Sequence, residues 1–159
     1  MTVKLLRPRS VPRRARAVVR ETLERTGLDD DADADAETVV AEPAANAKKH
    51  ARPPYELRLF SLGAIPTWCE VVDGDPDLYE VRTILNLLDS VEEIGLPLLV
   101  ENGRGPLPAH RLSHGHCHVR PVTTLSTGTP GKVVVFASPV HSGGRLTFSP
   151  PPDLTRLLR

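Results

Sequence analysis

The placement of proline constrains this chain more than any other feature. Sixteen of its 159 residues are proline, and each one fixes φ, removes a backbone donor and is barred from helix interiors and central strands. Pro53, Pro54, Pro66 and Pro76 therefore read as breaks between short elements. Two others fall elsewhere: Pro43 lies inside a helical stripe, and Pro106 follows Gly105 at the start of another helix, where the first turn tolerates it.

Between the breaks, apolar spacing predicts the elements. Val11, Ala15, Val18, Val19 and Leu23 recur at helical intervals over 11–28, with Thr26-Gly27 as a stop. The acidic run Asp29 to Asp35 precedes a second helix over 36–51, carried by Val39, Val40, Ala44, Ala47 and Ala51. Its basic end, Lys48, Lys49, His50 and Arg52, suits the helix macrodipole. Tyr55, Leu57 and Leu59 alternate with Glu56, Arg58 and Phe60 as a strand over 55–61. A turn over 62–66 leads to a strand over 67–73, which Gly74-Asp75-Pro76 ends. Val81, Ile84, Leu85, Leu88 and Val91 make a third helical stripe ending near Gly95, and a fourth helix is expected over 107–113. Strands over 116–124 and 132–137 follow, joined by a turn over 127–131. The order α-α-β-β-α-α-β-β predicts an α+β fold, with helices banked on one face of a mostly antiparallel mixed sheet as a two-layer sandwich. Residues 1–10 are expected as a flexible basic N-terminus, 11–137 as the domain, and 138–159, with Gly143-Gly144 and Pro150-Pro151-Pro152, as a flexible tail.

Composition narrows the function classes. With only 11 glycines beside the prolines, the chain stays below the roughly 25–30% Pro-plus-Gly share of low-complexity disorder. Six aromatics leave Val, Leu, Ile and Ala to fill the core. No apolar run of about 18 residues and no apolar leader follow the start, which argues against a membrane span or ordinary secretion. Cys69 and Cys117 are too few for a disulfide framework, so a reduced, cytoplasmic protein is expected. A formal charge of zero conceals segregation: residues 1–20 carry seven basic groups and no acid, and 21–42 carry nine acids against Arg25. No aromatic lies among the N-terminal arginines to stack a base, which argues against nucleic acid.

One constellation carries chemistry. Glu42 and Asn46 stand four apart on the second helix and share a face. The carboxamide oxygen of Asn suits Mg²⁺, which takes hard oxygen ligands, and Glu can accept a proton. Further along come Val71-Val72-Asp73-Gly74, then Glu101-Asn102-Gly103-Arg104-Gly105 before a helix, then Thr127-Gly128-Thr129-Pro130-Gly131-Lys132 before the last strand. Glycine lets backbone approach a ligand closely, and a helix N-terminus offers free N–H groups to phosphate. Read without a ligand, the same clusters are turns.

The segments 36–50, 70–76, 101–105 and 128–136 together resemble the N, G1, G2 and G3 boxes of the histidine-kinase-like ATPase superfamily with the Bergerat fold. Within it the chain looks like the actinobacterial anti-sigma regulatory factors, which are serine/threonine protein kinases, over about residues 11–137. The resemblance implies bound ATP and Mg²⁺, with Asn46 ligating the metal, Glu42 as general base or its orienter, and Asp73 holding the adenine amino group. It further implies that Gly74, Gly103 and Gly105 border the nucleotide, Thr129 lies near the adenine, His50 is the basic residue ending the N-box helix, and 77–102 is the ATP lid. The implied partner is a sigma factor or an anti-sigma antagonist carrying the acceptor serine, with a homodimer as an assembly state and no membrane. Four residues depart from the pattern: Pro43, Asp75, Pro106 and Lys132, the last standing where threonine is frequent. Pro43 deletes the helical bond to the Val39 carbonyl, at about 3 kcal/mol or more. Nucleotide binding is therefore expected to outlast catalysis, and the alternative function is a pseudo-kinase interaction module without turnover.

A third reading is metal binding by His110, His114, His116, Cys117 and His118, residue types that ligate zinc. Gly115 turns the chain between the two histidine pairs and no zinc-finger spacing is present, so a solvated helix end beside a half-exposed strand is expected instead.

Overall fold

A computed structural model describes residues 1–25, 30–62, 65–90, 113 and 116–138. Their order is β1 (Thr2–Leu6), a 3₁₀ turn (Pro8–Ser10), α1 (Val11–Leu23), α2 (Asp30–His50), β2 (Tyr55–Leu62), β3 (Ile65–Asp73), α3 (Tyr79–Ser90), β4 (Cys117–Thr123) and β5 (Pro130–Ala137). The fold is α+β. The five strands form one sheet in the order β1-β2-β3-β5-β4, and every pairing is antiparallel, where a mixed sheet was expected.

Two boundaries differ from expectation for physical reasons. The stretch expected as a flexible N-terminus carries β1, because Leu6 inserts into the core and Thr2 to Leu6 pair with Leu59 to Tyr55. The acidic run belongs to α2 rather than preceding it. Its aspartates alternate with Ala32, Ala34 and Ala36, and acids in the first turns of a helix are favoured by the macrodipole. α2 continues through Pro43 to His50 as one helix, and Pro43 itself is buried. Residues 107–112 of the expected fourth helix, most of the expected tail and the second half of the 77–102 lid lie outside the described residues, as do Gly103 and Gly105.

One core lies between the helices and the sheet. Val11, Ala15, Val18, Val19 and Leu23 of α1, Ala36, Val39, Val40, Ala44 and Ala47 of α2, and Leu85 of α3 meet Leu57, Leu59, Cys69, Val71 and Phe136 of the sheet. The free thiols of Cys69 and Cys117 are both buried, on strands either side of β5, each opposite Phe136. Two strand spacings, about 9–10 Å, exceed the reach of a disulfide.

The opposite face of the sheet is apolar too, with Trp68, Val72, Val122, Val133, Val135 and Ala137 joined by Phe60. It also contains charge. Glu56, Arg58 and Glu70 are each at most 2% exposed, and Arg120 reaches Glu70 at 2.6 Å. Arg58 bonds Glu56 at 2.7 Å and the Thr123 carbonyl at 3.1 Å, while Glu56 Oε1 accepts the amide and hydroxyl of Ser126, both at 2.7 Å. Although burial works to raise it, bonds from Ser126 and Arg58 hold the Glu56 carboxyl below its ordinary range.

Candidate functional site

The C-terminal end of β3 and the start of β5 bring two sequence-distant glycine motifs together. Asp73 and Lys132 pair directly in the β3–β5 register. An L side chain at Gly131 would place its Cβ 2.1 Å from the Asp73 carbonyl oxygen, so glycine is needed for the two strands to approach. At Gly74 a Cβ would fall 2.3 Å from the Pro53 carbonyl oxygen. The Gly74 amide donates to the Arg52 carbonyl at 2.8 Å, and Arg52 Nε donates back to the Gly74 carbonyl at 3.0 Å. Gly74, expected at the nucleotide, thus locks the end of β3 to the α2–β2 connection.

Asp73 is 3% exposed. Its Oδ1 accepts the Asp75 amide at 3.0 Å and lies 3.1 Å from Lys132 Nζ, which leaves Oδ2 as the oxygen without a partner among the described residues. Burial pushes the Asp73 carboxyl above its usual range, against the opposing pull of the Asp75 amide and Lys132. Lys132 is itself buried and also reaches Asp75 Oδ2 and the Asp75 carbonyl, both at 3.3 Å. The Asp77 amide above all, with Lys132 and Arg52 adding to it, holds the Asp75 carboxyl low against the opposing effect of burial. The sequence flagged Lys132 only as a departure; the structure makes it the counter-ion of Asp73. An unexpected charge opposite a strand-end aspartate was the available signal.

Thr129 sits in the β4–β5 turn. Its hydroxyl lies 2.8 Å from that of Thr127 and 3.1 Å from that of Thr124, and its amide donates to Thr124 Oγ1 at 3.0 Å. Gly128 has φ +69°, the left-handed value that glycine permits. The turn is therefore built by its own threonines, with Thr124 buried at the centre.

On α2, Glu42 and Asn46 are half-buried and His50 is exposed. The Asn46 carboxamide makes no hydrogen bond among the described residues. Glu42 lines a groove of about 690 Å³ between α1 and α2, with Arg16, Arg20, Glu24, Glu37 and Thr38. Neither Asp73 nor Thr129 borders that groove. The structure thus joins Asp73, Gly74, Gly131 and Lys132, and assigns Glu42 to a different lined space. Gly103 and Gly105 lie outside the described residues.

Of the histidine group, His116 packs edge-on to Trp68, ring centroids 6.3 Å apart, and burial together with Arg120 lowers the His118 pKa. Among the described residues no three potential ligands converge on a metal position; His110 and His114 lie outside them. No described helix is long and apolar enough to cross a membrane. Comparisons with protein-family models, curated proteins and solved structures return no match.

Proposed function

We propose that the chain is a cytoplasmic ATP-binding regulatory protein, resembling an anti-sigma factor serine/threonine kinase, that binds Mg-ATP and phosphorylates or sequesters a protein partner. The observation that carries this reading is the meeting of the Asp73-Gly74 and Gly128–Lys132 motifs at adjacent strand ends, through Gly131 against the Asp73 carbonyl. The resemblance requires those two motifs to share a site, and they are 54 residues or more apart in sequence.

In this reading Asp73 Oδ2 accepts the exocyclic amine of adenine while Lys132 holds Oδ1. The donor set suits Mg²⁺, since Asn46 offers a half-buried carboxamide with no hydrogen bond among the described residues, and Mg²⁺ takes a few protein oxygens while retaining water. The ion supplies neutralisation of triphosphate charge. Glu42 is the acceptor for the proton of a partner's serine hydroxyl, with His50 as a cation at the helix end. The resemblance assigns the phosphate contact to Gly103 and Gly105 and the ATP lid to 77–102.

A second reading, the pseudo-kinase interaction module, has its own observation: Glu42 opens to the α1–α2 groove, away from the lining of Asp73. Isothermal titration with Mg-ATP, followed by incubation with labelled ATP and a serine-bearing regulator, separates the two. Saturable binding that falls at least about tenfold in Asn46→Ala, the loss of one charge-assisted contact, supports the nucleotide site. Label transfer abolished by the same substitution supports the kinase. No binding heat at millimolar nucleotide overturns both.

A further inference from the structure

We propose that the open edge of β1 is a docking site for an extended, acidic polypeptide segment, which adds to the sheet as a sixth strand. β1 pairs on one side with β2 alone, and no described residue pairs with its other side. An unpaired strand edge presents a row of backbone donors and acceptors, the groups that a peptide in extended conformation satisfies. Residues 1–5 are all exposed, so the edge is accessible.

The side chains along this edge favour a polypeptide. Val3 is 38% exposed and Leu5 61%, and their register opposite Arg58 and Glu56 places them on the sheet face away from the helices. A strand laid alongside would cover both with alternate side chains. Proline and bulges, which usually protect edges, are absent from β1, and Lys4 is its one charge.

The surrounding charge selects an acidic occupant. Arg14 is paired with Glu21 and Arg20 with Glu37. Among the described residues, Lys4, Arg7, Arg9 and Arg13 have no ion pair or side-chain hydrogen bond, whereas Arg16 borders the acidic α1–α2 groove; no acid lies between residues 1 and 20. A second copy fits poorly, because antiparallel self-pairing of Thr2–Leu6 about its centre sets Lys4 against Lys4 of the other chain, a destabilising like-charge pair. Nucleic acid fits poorly as well. It does not use backbone edge pairing, and the first 20 residues contain no aromatic to stack a base. The proposal is independent of the nucleotide site.

The test uses the whole chain and a fluorescent peptide of about eight residues alternating valine with glutamate. Controls are its valine–lysine counterpart and an acidic version with proline at two central positions. Anisotropy is expected to show the acidic peptide binding at least about tenfold more tightly than the lysine peptide, weakening toward 0.3 M salt. The proline version is expected not to bind, and amide hydrogen exchange to slow at Val3 to Leu5. Lys4→Glu, at an exposed position that leaves circular dichroism unchanged, is expected to abolish the preference for the acidic peptide. Equal binding of the two charged peptides overturns the proposal, as does binding without protection of β1 or no binding at all. So do a sedimenting dimer that buries this edge, and binding to phosphatidylserine vesicles in place of peptide.

Discussion

Replacing Arg58 tests whether the buried charges hold this sheet together. The guanidinium is buried at mid-strand, with Nη2 2.7 Å and Nε 3.2 Å from Glu56 Oε2, Nη2 3.1 Å from the Thr123 carbonyl, and Nη1 3.6 Å from Glu70 Oε2. Arg58→Met keeps much of the stem volume and removes all four contacts. Breaking one partner from a buried ion pair costs about 3–5 kcal/mol, because the remaining charge is stranded. Glu56 retains two bonds from Ser126, and Glu70 retains Arg120. These survivors set the expected loss at the lower end, about 3 kcal/mol, out of a total of roughly 5–15 kcal/mol for a domain. In melting temperature that is about 6–12 °C.

Urea unfolding at pH 7 should show the midpoint falling without a change in slope. The double variant Glu56→Gln with Arg58→Met should lose at least about 1 kcal/mol less than the two single losses added, since the partners touch. Acidity gives a second arm. In the wild type the folded Glu56 carboxyl lies below its unfolded value, so its contribution is present above the unfolded pKa and is lost as pH falls through the folded one. In Arg58→Met the Glu56 carboxyl loses one of the contacts that lower it, so its folded pKa rises and the deficit should shrink as pH falls. A loss under about 1 kcal/mol, or strict additivity, would refute the claim that Arg58 compensates the buried carboxylates.

Two further substitutions or modifications probe the site's frame and its core. Gly131→Ala must displace backbone, because the obstructing atom is the Asp73 carbonyl oxygen; a loss of at least about 2 kcal/mol is expected, together with weakened Mg-ATP binding. A variant as stable as the wild type by urea titration would show that β3 and β5 do not need this approach. Burial pushes the Cys69 thiol up to about 12, so alkylation at pH 8 should proceed only through unfolding, with a rate that rises with urea. Labelling of Cys69 in the folded protein at the rate of a free thiol would contradict its placement between α2 and the sheet.

The helix-facing core was readable because it rests on local periodicity. The stripe of α1 and the Tyr55, Leu57, Leu59 alternation name the same residues that the structure buries. What escaped depends on pairing. β1 contains Lys4 and too few residues for a pattern, and it becomes a strand only because β2 offers an edge. The burial of Glu56 and Arg58 was not legible, since alternation reports which residues share a side without reporting whether that side meets water. Pro121 is accommodated within β4 because β4 is an edge strand, where a missing amide costs least. At the candidate site, Asp73 and the Gly128–Lys132 motif were legible as types. Their meeting required the β3–β5 register, and the counter-ion role of Lys132 required the third dimension.

Pro43 decides whether binding and turnover are separable. The frame that holds Asp73 is made by β3, β5 and the contacts of Gly74 and Gly131, none of which involves α2 near Pro43. Glu42 and Asn46 flank Pro43 on that helix. Pro43→Ala restores a donor to the Val39 carbonyl and relieves the ring clash, together worth about 3 kcal/mol. Against this, the buried ring loses two methylenes, about 1.6 kcal/mol, and the unfolded chain gains freedom worth up to about 1 kcal/mol. These effects nearly cancel, so stability should stay within about 1 kcal/mol of wild type, and activity becomes the informative readout. If the proline limits chemistry, Mg-ATP affinity should be unchanged while phosphoryl transfer to a serine-bearing partner rises. Lower nucleotide affinity in Pro43→Ala would show that the proline shapes the binding site itself, and unchanged transfer would place the limit at Glu42, whose side chain already opens to the α1–α2 groove.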